Sequence, residues 1–162
     1  MTNAYEGIIE SARLKDLKLM TANSVVHPFF SLEAGAALEV ATSWGEETYV
    51  EDQEAILGAC KWVFECRVEG EEESPVRIEA SYFLHYTGMG DKEEAASAYL
   101  RDVGRMASYP YFRAHVASVL GSAALVLPPL PSIGIGTFRD RDRITARIGS
   151  AQEEHSTQEQ PE

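Results

Sequence analysis

The chain has 162 residues, 44% of them hydrophobic, and carries 26 acids against 14 Lys and Arg, a net charge of −12. One domain with a real core is the expectation at that length. The acidic balance excludes nucleic acid and an anionic membrane surface as main partners, and suits either a basic partner or plain solubility. No apolar run approaches the roughly 20 residues needed to span a bilayer. Glu6 and Glu10 interrupt the start where a secretory signal would be apolar, so a cytoplasmic location is expected.

In chain order, residues 1–12 give only a weakly amphipathic start. Lys15 to Val26 reads as a first strand, with Leu17, Leu19 and Thr21 alternating with Lys18, Met20 and Ala22. Pro28 closes it and leaves Phe29 and Phe30 side by side in a connection. Two adjacent Phe cannot easily share one core face. Either one packs inward and the other is half exposed, or both form an apolar contact surface. Leu38 to Ser43 is a short second strand, Trp44-Gly45 a turn, and Thr48 to Val50 an extension before the acidic run at 51–54.

Ala55 to Glu69 is the strongest strand. Cys60, Trp62, Phe64, Cys66 and Val68 share one face, and Lys61, Glu65, Arg67 and Glu69 the other. On that face the two cysteines would lie about 20 Å apart at roughly 3.3 Å per residue. A disulfide needs Cα atoms within about 7 Å, so they read as small core residues. After the solvated turn Gly70–Pro75, Val76 to Thr87 alternates again, with Val76, Ile78, Ala80, Tyr82, Leu84 and Tyr86 together. Two long strands joined by a short polar loop make an antiparallel pair.

Asp91 is a candidate N-cap, with Glu93 and Glu94 in the first turn of a helix running to about Met106. Ser108-Tyr109-Pro110 is expected to break that helix and start a second, since Pro fits a first turn. Phe112, Val116, Val119, Leu120 and Ala123 recur at helical spacing in the second helix. Leu127-Pro128-Pro129-Leu130-Pro131 can continue neither a helix nor a central strand, and forms a stiff apolar loop. Residues 137–148 read as a polar helix. From residue 150 onward Gln, Glu, Ser and Thr give an acidic tail with too little apolar area to order itself. The expected domain therefore spans residues 1–149.

Catalytic and metal signals are poor. His27, His85, His115 and His155 fall in unrelated segments without ligand spacing. No nucleophile elbow, P-loop, kinase or zinc-protease pattern occurs, and Gly134-x-Gly136 follows a proline loop rather than a strand. No catalytic residue, cofactor or metal is expected, and the chain does not read as an enzyme. What stands out is apolar surplus in connections: Phe29, Phe30, Leu125, Leu127, Leu130 and Ile133. Such surplus serves an oligomer contact, a ligand groove or both.

Three stretches carry a resemblance. Tyr109-Pro110-Tyr111-Phe112-Arg113, Leu127-Pro128-Pro129-Leu130-Pro131 and Leu14-Lys15-Asp16-Leu17-Lys18-Leu19-Met20, in that spacing, resemble the SecB export-chaperone family over roughly residues 12–138. The resemblance implies an α+β fold: a four-stranded antiparallel sheet packed against two helices, with a proline-rich crossover loop. It implies a homotetramer, a dimer of dimers joined through long helices, and no cofactor. Unfolded or nascent polypeptides would lie in hydrophobic grooves, and backbone pairing plus apolar burial would let many sequences bind.

On that reading Phe29, Phe30, Leu38, Val40, Leu127, Leu130 and Ile133 line the client groove. Tyr111, Phe112, Val116, Val119 and Leu120 carry helix packing, within the chain or between chains. The family also docks the export motor SecA through acids on the outer sheet face. Asp16 falls at one such position, but the others fall near Met20 and Arg77. Some SecB-like relatives instead protect an antitoxin, so the expected service is protein export or control of a toxin–antitoxin system. The rival expectation is a non-catalytic adaptor module that binds one folded protein partner.

Overall fold

In a computed structural model, residues 5–32, 36–134, 137–138 and 142–147 are described. They form a five-stranded, wholly antiparallel sheet with one long helix on one face. In chain order come β1 (Arg13–Val26), β2 (Ala37–Val50), β3 (Ala55–Arg67), β4 (Val76–Thr87), α1 (Glu93–Ser122) and β5 (Arg143–Arg147), and the spatial order is β1-β4-β3-β2-β5. The expected α+β architecture holds, with two corrections: five strands rather than four, and one helix rather than two.

The strand faces follow the sequence pattern. Trp62, Phe64, Cys60 and Cys66 from β3 and Val76, Ile78, Ala80, Tyr82, Leu84 and Tyr86 from β4 are all buried on the helix side. Both cysteines are free and buried, as their spacing required. The Cys60 thiol is pushed up to about 11, chiefly by burial, so it stays protonated near neutrality.

Two strands depart from simple alternation. β1 begins two residues earlier than expected, and register shifts at Leu14/Asp16 and Leu19/Thr21 change its phase. A bulge flips every later side chain to the other face, so the expected run of Thr21 with Leu17 and Leu19 is broken. β2 runs unbroken through Trp44-Gly45, where a turn was expected. A bulge between Trp44 and Glu47 absorbs the irregularity, and the strand rejoins β3 through Tyr49↔Ile56.

The outer sheet face is covered by ion pairs. Lys61 meets Glu79, and Arg77 bridges Glu79 and Glu65. Arg67 joins Glu65 to Glu39, and Arg143 of β5 closes the row on Glu39 at 2.8 Å. Glu65 is only 7% exposed. An uncompensated carboxylate at that depth would cost about 3–5 kcal/mol, so the two arginines are required rather than decorative.

α1 is one continuous helix of 30 residues, with Pro110 inside it. The expected break does not occur. A mid-helix proline costs about 3 kcal/mol. Tyr109, Phe112, Val116 and Leu120 continue the buried stripe of Tyr99, Leu100 and Gly104 past it. Each large side chain so buried contributes about 1.5–3 kcal/mol, so the continuous stripe outweighs the proline, whose ring faces solvent. The Trp62 indole N–H donates to Ser108 Oγ at 2.9 Å, pinning the helix to the sheet two residues before Pro110. The N-cap is Lys92 rather than Asp91, without a side-chain cap, while Glu93 and Glu94 do occupy the first turn.

The expected polar helix at 137–148 is also corrected. Residues 143–147 pair with β2 as a strand, in the register Ala41↔Arg143 to Ala37↔Arg147. The alternation Arg-Ile-Thr-Ala-Arg carries a strand period that the surrounding charges mask. Phe138 is buried, with its ring 5.4 Å from that of Trp62. The acidic tail, residues 150–162, lies outside the described residues.

Candidate functional site

Two apolar grooves open near one end of the sheet. The first, about 650 Å³, is lined by Val25, Val26, Phe29, Phe30, Val68 and Pro75, with Glu71, Glu72 and Glu73 along its rim. Its walls are placed by the exits of β1 and β3. The His27 amide donates to Pro75 O at 2.8 Å, tying the end of β1 to the start of β4. The Phe30 amide then donates to His27 O at 3.0 Å, closing a turn around Pro28. That turn sends the two Phe apart: Phe30 packs half-buried against the core, whereas Phe29 is 89% exposed. The Phe29 ring touches only the imidazole of His27, at 6.0 Å, among the ring contacts of the described residues.

The second groove, about 240 Å³, lies between the C-terminal half of α1 and the proline loop. Phe64 forms its floor, Val116 and Leu120 one wall, and Leu125 to Leu130 the other. The loop is fixed at both ends. The Leu125 amide donates to Leu120 O at 2.9 Å, and the Tyr109 hydroxyl donates to Pro131 O at 2.7 Å. Between these anchors Leu130 plugs the core, Leu127 and Ile133 are half-buried, and Val126 is 90% exposed. Phe64 and Val68 belong to β3 and its exit, so the grooves lie at the same end of that strand.

The expected groove residues therefore divide. Phe29 and Phe30 line the first groove, and Leu127 and Leu130 the second. Ile133 lines neither. Leu38 and Val40, 8% and 2% exposed, belong to the core cluster, and β5 covers their edge. The helix-packing set divides as well. Phe112, Val116 and Leu120 pack within the chain, Val119 is half-buried, and Tyr111 is 59% exposed. Asp16 faces outward beside Lys18 at 3.2 Å and His85 at 3.6 Å. A hydrogen bond from Lys18 holds its carboxyl below the usual carboxylate range against the opposing cost of desolvation, with the Lys18 charge and His85 adding to the lowering.

β1 holds apolar surface that the sequence reading passed over. Leu14, Leu19, Met20 and Val25 are each exposed by 43–57% along a 14-residue edge strand. The signal was present as apolar residues on both phases of one strand, which a half-buried strand does not need. Among the described residues no group of three or more His, Cys, Asp or Glu could hold a metal, and no helix is long and apolar enough to cross a membrane.

No protein-family model and no curated protein matches the sequence. A search of solved structures does find a match. The chain is similar to a Mycobacterium tuberculosis SecB-like chaperone, Rv1957, in complex with a ChAD peptide from the Rv1956 HigA1 antitoxin. The TM-score is 0.64 at 17% sequence identity, over 81% of this chain and 96% of that one. The fold is SecB-like, as the motif spacing implied.

Proposed function

We propose that this chain is a non-catalytic, SecB-like holdase that binds extended, unfolded polypeptide. The observation that carries the reading is the exposed apolar surface on stiff connections. Phe29 and Val126, about nine-tenths exposed, stand at the mouths of two grooves on a SecB-like fold. A folded chain gains nothing from presenting them, whereas an extended client buries them at about 25 cal/mol per Å². The three rim carboxylates suit clients whose apolar residues are flanked by basic ones.

Service to an antitoxin fits better than export. The mycobacterial relative of the same fold was solved with an antitoxin peptide. Here Arg77 stands where a motor-docking acid was expected and is held by Glu65 and Glu79. The working form is a cytoplasmic homotetramer, with Tyr111 on α1 and the apolar residues of β1 as surface for neighbouring copies. The test is suppression of aggregation of a reduced, unfolded protein. Equimolar chain should hold the client in solution, and no suppression at that ratio sinks the reading. A single tight complex with one folded partner, without preference for unfolded chains, would favour the adaptor instead.

A further inference from the structure

The edge of β2 is closed by a short strand of the chain itself, and the closure is weak. β5 pairs with residues 37–41 of the 14-residue β2. Past Trp44 the bulge makes that edge irregular, which discourages pairing with another strand. The regular part of the edge is therefore the part that β5 occupies. We propose that β5 is a detachable edge strand, and that an extended client takes its place on β2. This rests on the holdase reading and says where the client's backbone is held.

Four features make β5 easy to release. It has five residues, and among the side chains of residues 143–146 only Ile144 is even half-buried. Its outer tie is Arg143 to Glu39, and Glu39 keeps Arg67 at 3.0 Å when Arg143 leaves, so no carboxylate is orphaned. Its inner tie is Asp142, whose side chain is 79% exposed, held by Arg105 at 3.5 Å. Arg105 also donates to Phe138 O at 2.8 Å. Short pairing and little burial place a segment at the low-stability end of a fold.

The sequence of β5 describes what fits. Ile144 and Ala146 lie opposite Val40 and Leu38, while Arg143 faces Glu39. A matching client segment is extended, small or apolar at alternate positions, and basic on the outer face. Its backbone would take over the ladder bonds, including that from the Thr42 amide, which now donates to Asp142 O at 2.9 Å. Leu38 and Val40 are then contact residues after all, reached by strand exchange rather than through an open groove.

A reversible lock tests this. The Thr42–Asp142 bond makes Ala41 and Arg143 a non-hydrogen-bonded pair, with Cα atoms about 4.5 Å apart and within disulfide reach. In Ala41→Cys with Arg143→Cys, the native Cys60 and Cys66 stay buried. A reduced, carboxymethylated unfolded polypeptide serves as probe. The reduced variant should bind it at least as tightly as the wild type, and the oxidised variant at least tenfold more weakly. Arg143→Ala alone should tighten binding. Equal binding by the oxidised and reduced forms, with the wild type binding, overturns strand exchange and leaves the holdase reading standing. No binding by the wild type overturns both. Hydrogen exchange gives an independent readout: saturating client should speed exchange at 143–147 and leave 76–87 unchanged. Unaltered exchange at 143–147 also overturns the proposal.

Discussion

Phe29 offers the sharpest separation between folding and binding. Its side chain is 89% exposed in the free chain, so Phe29→Ala removes almost no buried area from the monomer. Surface changes of that kind stay within about 0.5 kcal/mol of wild-type stability. If a client covers the ring, the full burial of a Phe is at stake, about 1.5–3 kcal/mol. Taking about 2 kcal/mol, the dissociation constant should rise roughly 30-fold, since about 1.4 kcal/mol is tenfold. Phe112→Ala is the counterpart: that ring is fully buried against Trp62 at 5.8 Å, and its loss should cost about 3–5 kcal/mol of stability. The assay is fluorescence anisotropy with a labelled unfolded client, beside thermal unfolding of each variant. Unchanged client affinity in a fully folded Phe29→Ala would refute the argument that the exposed ring is contact surface.

Gly88→Ala should be far worse than its size suggests. Gly88 has φ +72°, and a Cβ there would stand 2.3 Å from the backbone oxygen of Ser11. A loss of about 2–4 kcal/mol is expected in urea unfolding. Gly7→Ala, with open space around it, should be close to neutral. Burial raises the Glu79 carboxyl, but hydrogen bonds from Arg77 and Lys61 more than offset it and leave the pKa below 4.5. A carboxyl lowered by folding stabilises above its unfolded pKa, and the gain is lost as pH falls through the folded value. The stability gap between wild type and Glu79→Gln should be steady from pH 7 to about 5 and shrink below about 4.5. A gap constant down to pH 3 contradicts the network. Tyr111→Asp should shift light-scattering mass toward the 17.9 kDa protomer without lowering helix content. An unchanged mass removes Tyr111 from the assembly surface.

The amino-acid pattern determined the central sheet on its own. In β3 and β4 both faces were readable because side chains alternate, Val63 and Phe83 apart, and one face carries the charges. The proline words marked where regular structure stops after α1, and their spacing pointed to a SecB-like chain. Tertiary structure decided the rest. Pro110 reads locally as a break, but Tyr109, Phe112, Val116 and Leu120 must all reach the same sheet, and that shared burial carries the helix through. The arginines and aspartates of 139–143 obscure Ile144, so β5 becomes a strand only because the edge of β2 is there to pair with it. Leu38 and Val40 lose their exposure for the same reason. Which of two adjacent phenylalanines turns outward depends on the amide of Phe30 finding His27 O, a bond that exists only once β1 and β4 have fixed the corner.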